Sequence, residues 1–498
     1  MHIIDCHVHT QAVVNYNEAA LRLLEHMDNH GISSMIVSDL GDNWKPFPDS
    51  KTIHIANLRL KEFSLVNQEK VHYLVYINPL LSDWIEEFNS HKDTAVGVKL
   101  WISLRQENDF SLDKSIEVLK MAAKYDLPVL IHVFETTDPL LFGSIGIDGI
   151  IELATKVPNC TIIAAHSCGS WRRTIKRCHE FPNNIYFDIS GSYPERTMVS
   201  SLVSCFGADR ILYGSDAPGR SFGSQLHKVI DGQLTFSQQE KILYKNAKKI
   251  FKLKDDLLNN KNKKLPQKKL ANLGVDNFCF VGNCPWFDHN VTVDDLVIKL
   301  KENEVNTAYV ANLDAITASN KLAANKLFRK ATLKYKEICP LAVVDLNNIE
   351  EAYKQIEEIN NFAGIWISPY LHNYQLNFDL YKDFFLKCSQ LGINIFINVA
   401  LSDDRFRYSQ LKTTIIKEQD IIEFAKKAPK NKYVIQGARN HEQLSLLLPE
   451  NFFLEYSKLS DGEYAAEDFT GNVQRLCRGT EYPFRSYSCV DDVLLGKV

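Results

Sequence analysis

Short runs of apolar and β-branched residues alternate with segments of helical pattern along the first 255 residues. Helical patterns cover residues 17–29, 112–125 and 238–251, among others. Alternation of strands with helices predicts βαβ units and a parallel sheet. The predicted strands are eight in number and cover residues 3–8, 32–38, 71–77, 95–101, 128–134, 161–166, 185–189 and 211–215.

Eight strand–helix units within about 250 residues match the size of a (β/α)8 barrel. An open, doubly wound sheet has the same local pattern and is the competing architecture. The number of strands in this length favours closure. A closed barrel of this kind carries its active site at the carboxyl ends of the strands.

The second half of the chain repeats strand segments of the first at a nearly constant spacing. Four pairs of segments match at offsets of 265 to 267 residues: 450–457 with 183–190, 363–367 with 96–100, 392–399 with 126–133, and 475–483 with 210–218. Such regularity predicts a tandem duplication. We therefore expect an α/β protein of two tandem (β/α)8 TIM-like barrels, the second degenerate.

A polar, lysine-rich stretch over residues 252–273 separates the two halves. An exposed linker and a solvated helix extension account for it equally well. The expected domains are a catalytic barrel over 1–255, a linker over 256–273 and a degenerate barrel over 274–498. A chain of 498 residues also exceeds the size at which single cores stop growing, about 300 residues.

Composition excludes several classes of protein. The net charge of −4 provides no cationic excess for nucleic acid. Eleven scattered cysteines without regular spacing favour free thiols in a reducing cytoplasm over a disulfide framework. The amino terminus lacks the pattern of a signal peptide, and no apolar run reaches the roughly 18 residues of a membrane span. We expect a cytoplasmic protein without a membrane partner.

His7 and His9 lie two residues apart on the first predicted strand, so their side chains point the same way. Alone, such a pair is more often two hydrogen-bonded core histidines. Four further polar residues lie at or near the ends of other strands: Lys99, His132, His166 and Asp216. Each would otherwise be a costly buried polar group. Together the six predict a metal site, and imidazole and carboxylate ligands suit Zn²⁺.

Seven motifs occur in order along the first half: DCHVH, GVKLW, PVLIHV, AAHSCG, YFDIS, LYGSDAP and NAKKIF. In these the chain resembles the amidohydrolase superfamily, and specifically its amidohydrolase-related (amidohydrolase 2) family. The resemblance implies His7, His9, His132 and Asp216 as metal ligands. It implies His166 as a second ligand or as a residue that transfers protons and orients water.

Lys99 has two implied roles in such a family. A carboxylated lysine on the fourth strand bridges two metals in binuclear members, whereas an unmodified lysine near this position binds an anionic substrate group in mononuclear ones. We favour a mononuclear site, with Lys99 and His166 as further candidate ligands.

Three other residues are candidates for supporting roles. Strand parity places Asp5 on the side of His7, as an orienting residue, and places Cys6 opposite, in the helix layer. Asp188 lines the site or makes a structural hydrogen bond. Arg172 binds a substrate carboxylate or is simply solvated.

The second half lacks this set. Its residues at the positions of His7, His9, Lys99, His132, His166 and Asp216 are expected to be Asn283, Pro285, Trp366, Asn398, Ala438 or Arg439, and Glu481. One carboxylate without imidazoles holds Zn²⁺ poorly. We expect this half to be catalytically silent and to pack against the first barrel, and the chain is also compatible with a homo-oligomer.

Three functions are compatible with these residues. The leading one is hydrolysis of an ester, lactone or amide of a small molecule by metal-activated water, with Asp216 accepting the proton and His166 stabilising the oxyanion or protonating the leaving group. The second is non-oxidative decarboxylation of a small carboxylic acid. The third is a non-catalytic, metal-dependent binding protein.

Overall fold

The computed structural model describes residues 1–10, 16–41, 49–101, 112–135, 145–191, 195–254, 274–284, 289–359, 361–401, 412–461 and 469–491. The chain divides into two compact units, and the described residues up to 254 belong to the first while those from 274 belong to the second. The predicted linker lies outside the described residues. The exact domain boundaries therefore stay predictions.

The first unit is a parallel barrel in which each strand pairs with the next along the chain. Its strands β1 to β8 are Ile4–Thr10, Ser34–Asp39, Val71–Tyr76, Gly97–Trp101, Val129–His132, Ile162–Ala164, Ile185–Asp188 and Ile211–Leu212. The barrel closes through backbone hydrogen bonds between β1 and the segment that follows β8. The N–H of Cys6 donates to the carbonyl of Tyr213 at 3.0 Å, and that of His9 donates to Ala217 at 2.7 Å.

Helices connect these strands. They are α1 to α10: Tyr16–Asn29, Ser50–Val66, Trp84–His91, Leu112–Lys124, Ile147–Lys156, Trp171–Lys176, Met198–Phe206, Phe222–Ile230, Phe236–Glu240 and Asn246–Ile250, with a π-helical turn at Lys241–Lys245. In α4 the buried residues Ile116, Leu119 and Ala122 recur every third position, which directs one face to the sheet. The Asp49 carboxylate caps α2 by accepting the N–H of Thr52 at 2.8 Å.

Apolar side chains of the strands form two layers. One layer packs beneath the helices, and Val8 belongs to it. The other fills the barrel interior, where Cys6 packs with Ile4, Leu74 and Leu130. The prediction that Cys6 faces the helix layer is therefore wrong. A register shift in the pairing of β1 with β2, between Asp5 and Val8, changes the alternation of side chains along the strand.

The second unit has a parallel sheet in the same sequential order, extended by one antiparallel strand. Its strands β9 to β17 are Val275–Cys284, His289–Val291, Thr307–Asn312, Ile338–Val344, Gly364–Ile367, Ile395–Asn398, Tyr433–Gln436, Phe452–Glu455 and Leu476–Cys477. The short β10 pairs antiparallel with β9. The N–H of Asn277 donates to Arg478 at 2.7 Å and that of Phe280 to Tyr482 at 2.8 Å, as at the closure of the first barrel.

Nine further helices connect and flank the strands of the second unit's described part. They are α11 to α19: Val293–Glu302, Leu313–Thr317, Lys321–Thr332, Ile349–Glu357, Pro369–His372, Lys382–Gln390, Glu418–Lys427, His441–Leu447 and Tyr487–Asp491. A large apolar cluster lies between the helices and strands β12 to β16. This arrangement repeats the layering of the first unit.

The predicted fold class of two TIM-like barrels is confirmed, and each of the eight strands predicted for the first unit is present. The largest differences are at strand ends: β6 stops at Ala164, two residues before His166, and β8 has only two residues. Helices within the described ranges are all too short or too polar to cross a bilayer. That the second unit arose by duplication of the first stays a prediction.

Candidate metal centre

His7, His9 and Asp216 converge at the carboxyl end of the first barrel. Their ligand atoms all lie within 4.8 Å of one another. The Nε2 atoms of His7 and His9 are 3.1 Å apart, and Oδ1 of Asp216 lies 3.4 Å from Nε2 of His9 and 3.8 Å from Nε2 of His7. The two histidines are buried, while the Asp216 side chain keeps a 17% exposed fraction.

The hydrogen bonds on the far sides of both rings determine which nitrogen carries the proton. Nδ1 of His9 lies 2.9 Å from the hydroxyl oxygen of Ser38, which can accept, and 3.3 Å from the Ser38 carbonyl oxygen, which only accepts. Nδ1 of His7 lies 3.0 Å from Oδ2 of Asp188, a carboxylate. Each neutral ring therefore carries its proton on Nδ1 and exposes a lone pair on Nε2.

Two lone pairs that face each other across 3.1 Å repel one another unless a positive charge lies between or beside them. The ammonium of Lys99 donates to Nε2 of His7 at 2.9 Å and supplies one such charge. A divalent cation is the other candidate, because two imidazole nitrogens and a carboxylate oxygen form a facial donor set that suits transition metals. The residues present therefore fit a metal.

Asp188 and Ser190 connect this group to the other two predicted histidines. Oδ1 of Asp188 accepts the backbone N–H groups of His166 at 3.1 Å and of Ser190 at 2.9 Å, together with a short hydrogen bond from the Ser190 hydroxyl. Oγ of Ser190 also lies 2.9 Å from Nδ1 of His166. Nε2 of His166 in turn lies 3.1 Å from Nδ1 of His132. Six predicted site residues and one unpredicted serine thus form a continuous network.

His166 lies in a backbone turn that side chains rarely adopt. His166, Ser167 and Cys168 have φ values of 58°, 46° and 64°, all in the left-handed region. Such conformations cost free energy and persist where surrounding bonds hold them. Here the Ser167 hydroxyl donates to the Asp188 carbonyl at 2.7 Å, and Thr174 donates to the Ser167 carbonyl at 2.9 Å. Strain of this kind is concentrated at functional sites.

Burial shifts the protonation of the imidazoles toward the neutral form. It lowers the pKa of His9 to about 4 and that of His166 to about 3, and it lowers the pKa of His132 well below its ordinary value. Burial likewise lowers the pKa of Lys99 to about 8, against the opposing charges of Asp216 and Asp188. Neutral imidazoles are the form that binds a metal.

The two carboxylates, Asp216 and Asp188, keep their charged form despite burial. Burial acts to raise the pKa of Asp216, but the histidines around it, His166 first, bring its pKa well below the usual range. Burial also opposes ionisation of Asp188, whose pKa is nevertheless lowered by His7, His166 and Ser190. Both aspartates are therefore anionic at neutral pH.

Asp5 and Arg172, two residues predicted to support the site, both have defined partners. The register shift in β1 removes Asp5 from the side of His7, and its Oδ1 accepts the backbone N–H groups of His7 at 3.1 Å and Ser215 at 3.0 Å. It therefore holds the backbone of two site strands, and burial raises its pKa to about 7. Arg172 donates to Glu195 through both terminal nitrogens, at 2.7 and 2.5 Å, and lies over the Trp171 ring.

Three residues of the site were missed at the level of sequence. Ser190 lies two positions after Asp188, and Ser38 lies near the end of β2, so strand parity and strand ends were the available signals. Gly214 follows β8, where a Cβ would lie 2.9 Å from Cβ of His7 and 3.3 Å from that of Asp188. Only glycine permits this approach of the chain to both residues.

The second unit has different residues at the equivalent positions. Glu481 N–H donates to the Phe278 carbonyl at 2.6 Å just as Asp216 donates to His7, so Phe278 and Phe280 occupy the positions of the histidine pair. The assignment of Asn283 and Pro285 to these positions is wrong, because the matching register is five residues earlier in β9. Gly437, whose N–H donates to Glu455 at 2.6 Å, occupies the position of His166 in place of Ala438 or Arg439.

The acidic residues of this unit have other partners. Glu481, at the position of Asp216, is fully buried and accepts from Lys458 at 3.1 Å and from Nε of Arg485 at 2.8 Å. Two protein cations thus neutralise the carboxylate. Among the described residues of this unit, no cluster of three His, Cys, Asp or Glu ligand atoms is close enough to hold a metal.

Comparison with known proteins gives matches over the first half of the chain. Residues 84–253 match the family model described as Amidohydrolase. No curated protein matches the sequence. One similar solved structure is 2,6-dihydroxybenzoate decarboxylase from Rhizobium, with 19% identity and a TM-score of 0.41, over 51% of this chain and 99% of that one.

Two further solved structures are similar to the same extent. Dihydroxybenzoic acid decarboxylase from Polaromonas, with bound manganese and the inhibitor 2-nitroresorcinol, has 17% identity and a TM-score of 0.40, over 52% of this chain and 98% of that one. 4-Oxalomesaconate hydratase from Rhodopseudomonas palustris has 15% identity and a TM-score of 0.41, over 50% and 95%. The family match lies within the first unit and includes His132, His166 and Asp216, so the first unit is similar to the amidohydrolase family over residues 84–253.

Proposed function

We propose that the first unit is a metal-dependent hydrolase that cleaves an ester, lactone or amide bond of a small molecule. The observation that carries the proposal is the convergence of two Nε2 lone pairs with the partly exposed, anionic Asp216 at the mouth of the barrel. When bound, a divalent cation supplies Lewis acidity and lowers the pKa of water toward neutrality. His7, His9 and Asp216 would hold it, with His132 as the fourth candidate.

Asp216 serves as the general base. It is anionic at neutral pH, and its side chain is open to solvent whereas Asp188 is enclosed. A carboxylate in this state accepts a proton from the attacking water at the barrel mouth. His166, which is buried beside His132, would stabilise the developing charge or, when its Nε2 carries a proton, pass that proton to the leaving group.

A decarboxylase is the second candidate, and Lys99 is the observation that favours it. Its ammonium points to the site, where it offers a counter-charge for an acidic substrate. Arg172, the other predicted carboxylate-binding residue, is already neutralised by Glu195. A substrate with an anionic group would suit the Lys99 ammonium at the candidate metal centre.

A substrate screen distinguishes these candidates. The full-length protein, loaded with Zn²⁺ or with Mn²⁺, is incubated with a panel of lactones, aryl esters and amides and with a panel of aromatic and unsaturated carboxylic acids. Formation of the carboxylic acid product from the first panel, measured by chromatography, supports hydrolysis, and CO₂ release from the second supports decarboxylation. Tight ligand binding without turnover in either panel would instead identify a metal-dependent binding protein.

The identity of the metal, the role of the second unit and the cytoplasmic location belong to the same proposal. Zn²⁺ is our first choice because imidazole and carboxylate ligands suit it. The second unit is proposed to be catalytically silent, since Lys458 and Arg485 provide the positive charge that a metal would otherwise bring to Glu481. Metal analysis of the purified chain tests both points at once, with one equivalent expected.

A further inference from the structure

We propose that Ser190 is a positioning residue whose hydroxyl links His166 to Asp188 and thereby sets the tautomers of His166 and His132. This role follows from which atom donates and which accepts in each hydrogen bond of the candidate metal centre. It concerns which ring nitrogens carry protons, and it holds for the protein irrespective of the substrate.

Asp188 fixes the first donor and acceptor roles in this chain of hydrogen bonds. Its Oδ1 accepts two backbone N–H groups, from His166 and Ser190, and backbone N–H groups can only donate. An oxygen in that environment is an acceptor, so the short hydrogen bond with Ser190 is donated by the serine hydroxyl. The single proton of Ser190 is thereby used, and its oxygen is left with lone pairs.

The donor and acceptor roles at Ser190 determine those at His166, which in turn determine those at His132. Nδ1 of His166, 2.9 Å from the serine oxygen, must donate and therefore carries a proton. In a neutral ring Nε2 of His166 is then an acceptor, and His132 must donate to it from Nδ1 at 3.1 Å. In the neutral ring of His132 the lone pair is then on Nε2. His166 has both ring nitrogens engaged, which makes it a relay between His132 and Ser190.

His7 provides an internal comparison. Its Nδ1 lies 3.0 Å from Oδ2 of Asp188 and 3.1 Å from Oγ of Ser190. The carboxylate alone keeps the proton of His7 on Nδ1. Loss of the serine hydroxyl therefore affects His166 and His132 but leaves His7 in place.

The second unit separates this role from a structural one. Glu455 accepts the N–H groups of Gly437 and Ser457, at 2.6 and 2.8 Å, as Asp188 accepts those of His166 and Ser190. The same pair of backbone hydrogen bonds thus surrounds a carboxylate in the second unit, where Gly437 stands at the position of His166. The link from the serine hydroxyl to the His166 imidazole is a feature of the first unit, because glycine occupies that position in the second, and Ser457→Ala is therefore a matched control for Ser190→Ala.

The test uses two-bond ¹H–¹⁵N spectra of the full-length, metal-free protein labelled with ¹⁵N-histidine at pH 8. The His7, His132 and His166 signals are assigned by their loss in single histidine variants. We expect the Nδ1–H tautomer for all three rings in the wild type. Ser190→Ala should convert His166 and His132 to a mixture of tautomers while His7 stays unchanged, and Ser190→Thr should restore the wild-type pattern.

Three outcomes would overturn the proposal. They are an Nε2–H tautomer for His166 in the wild type, an unchanged His166 signal in Ser190→Ala, and an equal change in Ser457→Ala. If Ser190→Ala does not fold, the wild-type and Ser190→Thr spectra still decide the tautomer. A second bound metal equivalent at His7, His166 and Asp188 would also refute it, because both Nδ1 atoms would then lack protons.

Discussion

Nζ of Lys99 lies 2.9 Å from Nε2 of His7, the nitrogen that a metal ion would take. An ammonium in this position competes with a cation for the same lone pair, whereas a carboxylated lysine would bridge two metals. The Lys99→Met variant separates these roles. We expect one metal equivalent per chain in the wild type and in Lys99→Met, with affinity in the variant at least as high, measured by elemental analysis and by competition with a chelator.

Lys228→Met provides the control for that experiment. Lys228 is a second buried lysine of the first unit, and its Nζ donates to the carbonyl of Ile189 at 2.8 Å instead of to a predicted ligand. Its metal content should equal that of the wild type. Two equivalents in the wild type that fall to one in Lys99→Met alone would establish a bridging, carboxylated lysine.

Asp216→Asn should abolish turnover. The amide neither accepts a proton nor neutralises a cation, and removal of a general base lowers rates by about 10²- to 10⁴-fold. The measurement is kcat/KM of the metal-loaded variant on whichever substrate the two panels identify. Asp209→Asn, a change at an exposed ion pair with Lys241, is the control and should keep the wild-type rate. A rate for Asp216→Asn equal to the wild type would remove Asp216 from the mechanism.

Glu481→Gln should destabilise the second unit without changing metal content. The substitution leaves the buried cations Lys458 and Arg485 without their carboxylate, and breaking such a pair costs about 3–5 kcal/mol. Urea unfolding followed by intrinsic fluorescence measures the change. Lys326→Met removes an exposed ion pair with Glu358 in the same unit and should cost less than about 1 kcal/mol. Equal midpoints for the two variants would contradict the role given to Glu481.

His72 should make the first unit less stable in acid. Burial lowers its pKa from 6.5 to about 4, and its Nε2 has no hydrogen-bond partner among the described residues. Between these two values the unfolded chain binds a proton that the folded chain does not, so stability is lost as the pH falls from 6.5 toward 4. The maximum effect is about 3 kcal/mol, since one pKa unit is worth about 1.4 kcal/mol.

The His72→Leu variant removes this contribution. Its free energy of unfolding should fall less between pH 7 and pH 4.5 than that of the wild type, as measured by urea titration at both values. His179→Phe, at an exposed position, serves as the comparison and should follow the wild type. A pH dependence in His72→Leu that matches the wild type would show that other groups cause the acid sensitivity.

The local sequence pattern was sufficient to predict the order of strands and helices and to identify candidate residues at the barrel mouth. Alternation of strands and helices follows from backbone periodicity, which neighbouring residues determine. His7, His9, His132 and Asp216 were identifiable because they are polar residues at or just beyond strand ends, where a barrel has its site. Six such residues were expected to form one cluster because the carboxyl ends of parallel strands meet at the same face of a barrel.

What the tertiary structure alone decided depends on contacts between distant segments. The register shift that turns Cys6 inward arises in the pairing of β1 with β2, and the ion pair of Arg172 requires Glu195 to lie beside it. Ser190 acquires a role only because closure of the barrel brings His7 and His166 to its hydroxyl. A sequence specifies which side chains face a common centre, but hydrogen-bond polarity and charge pairing depend on which groups come within about 3 Å of each other.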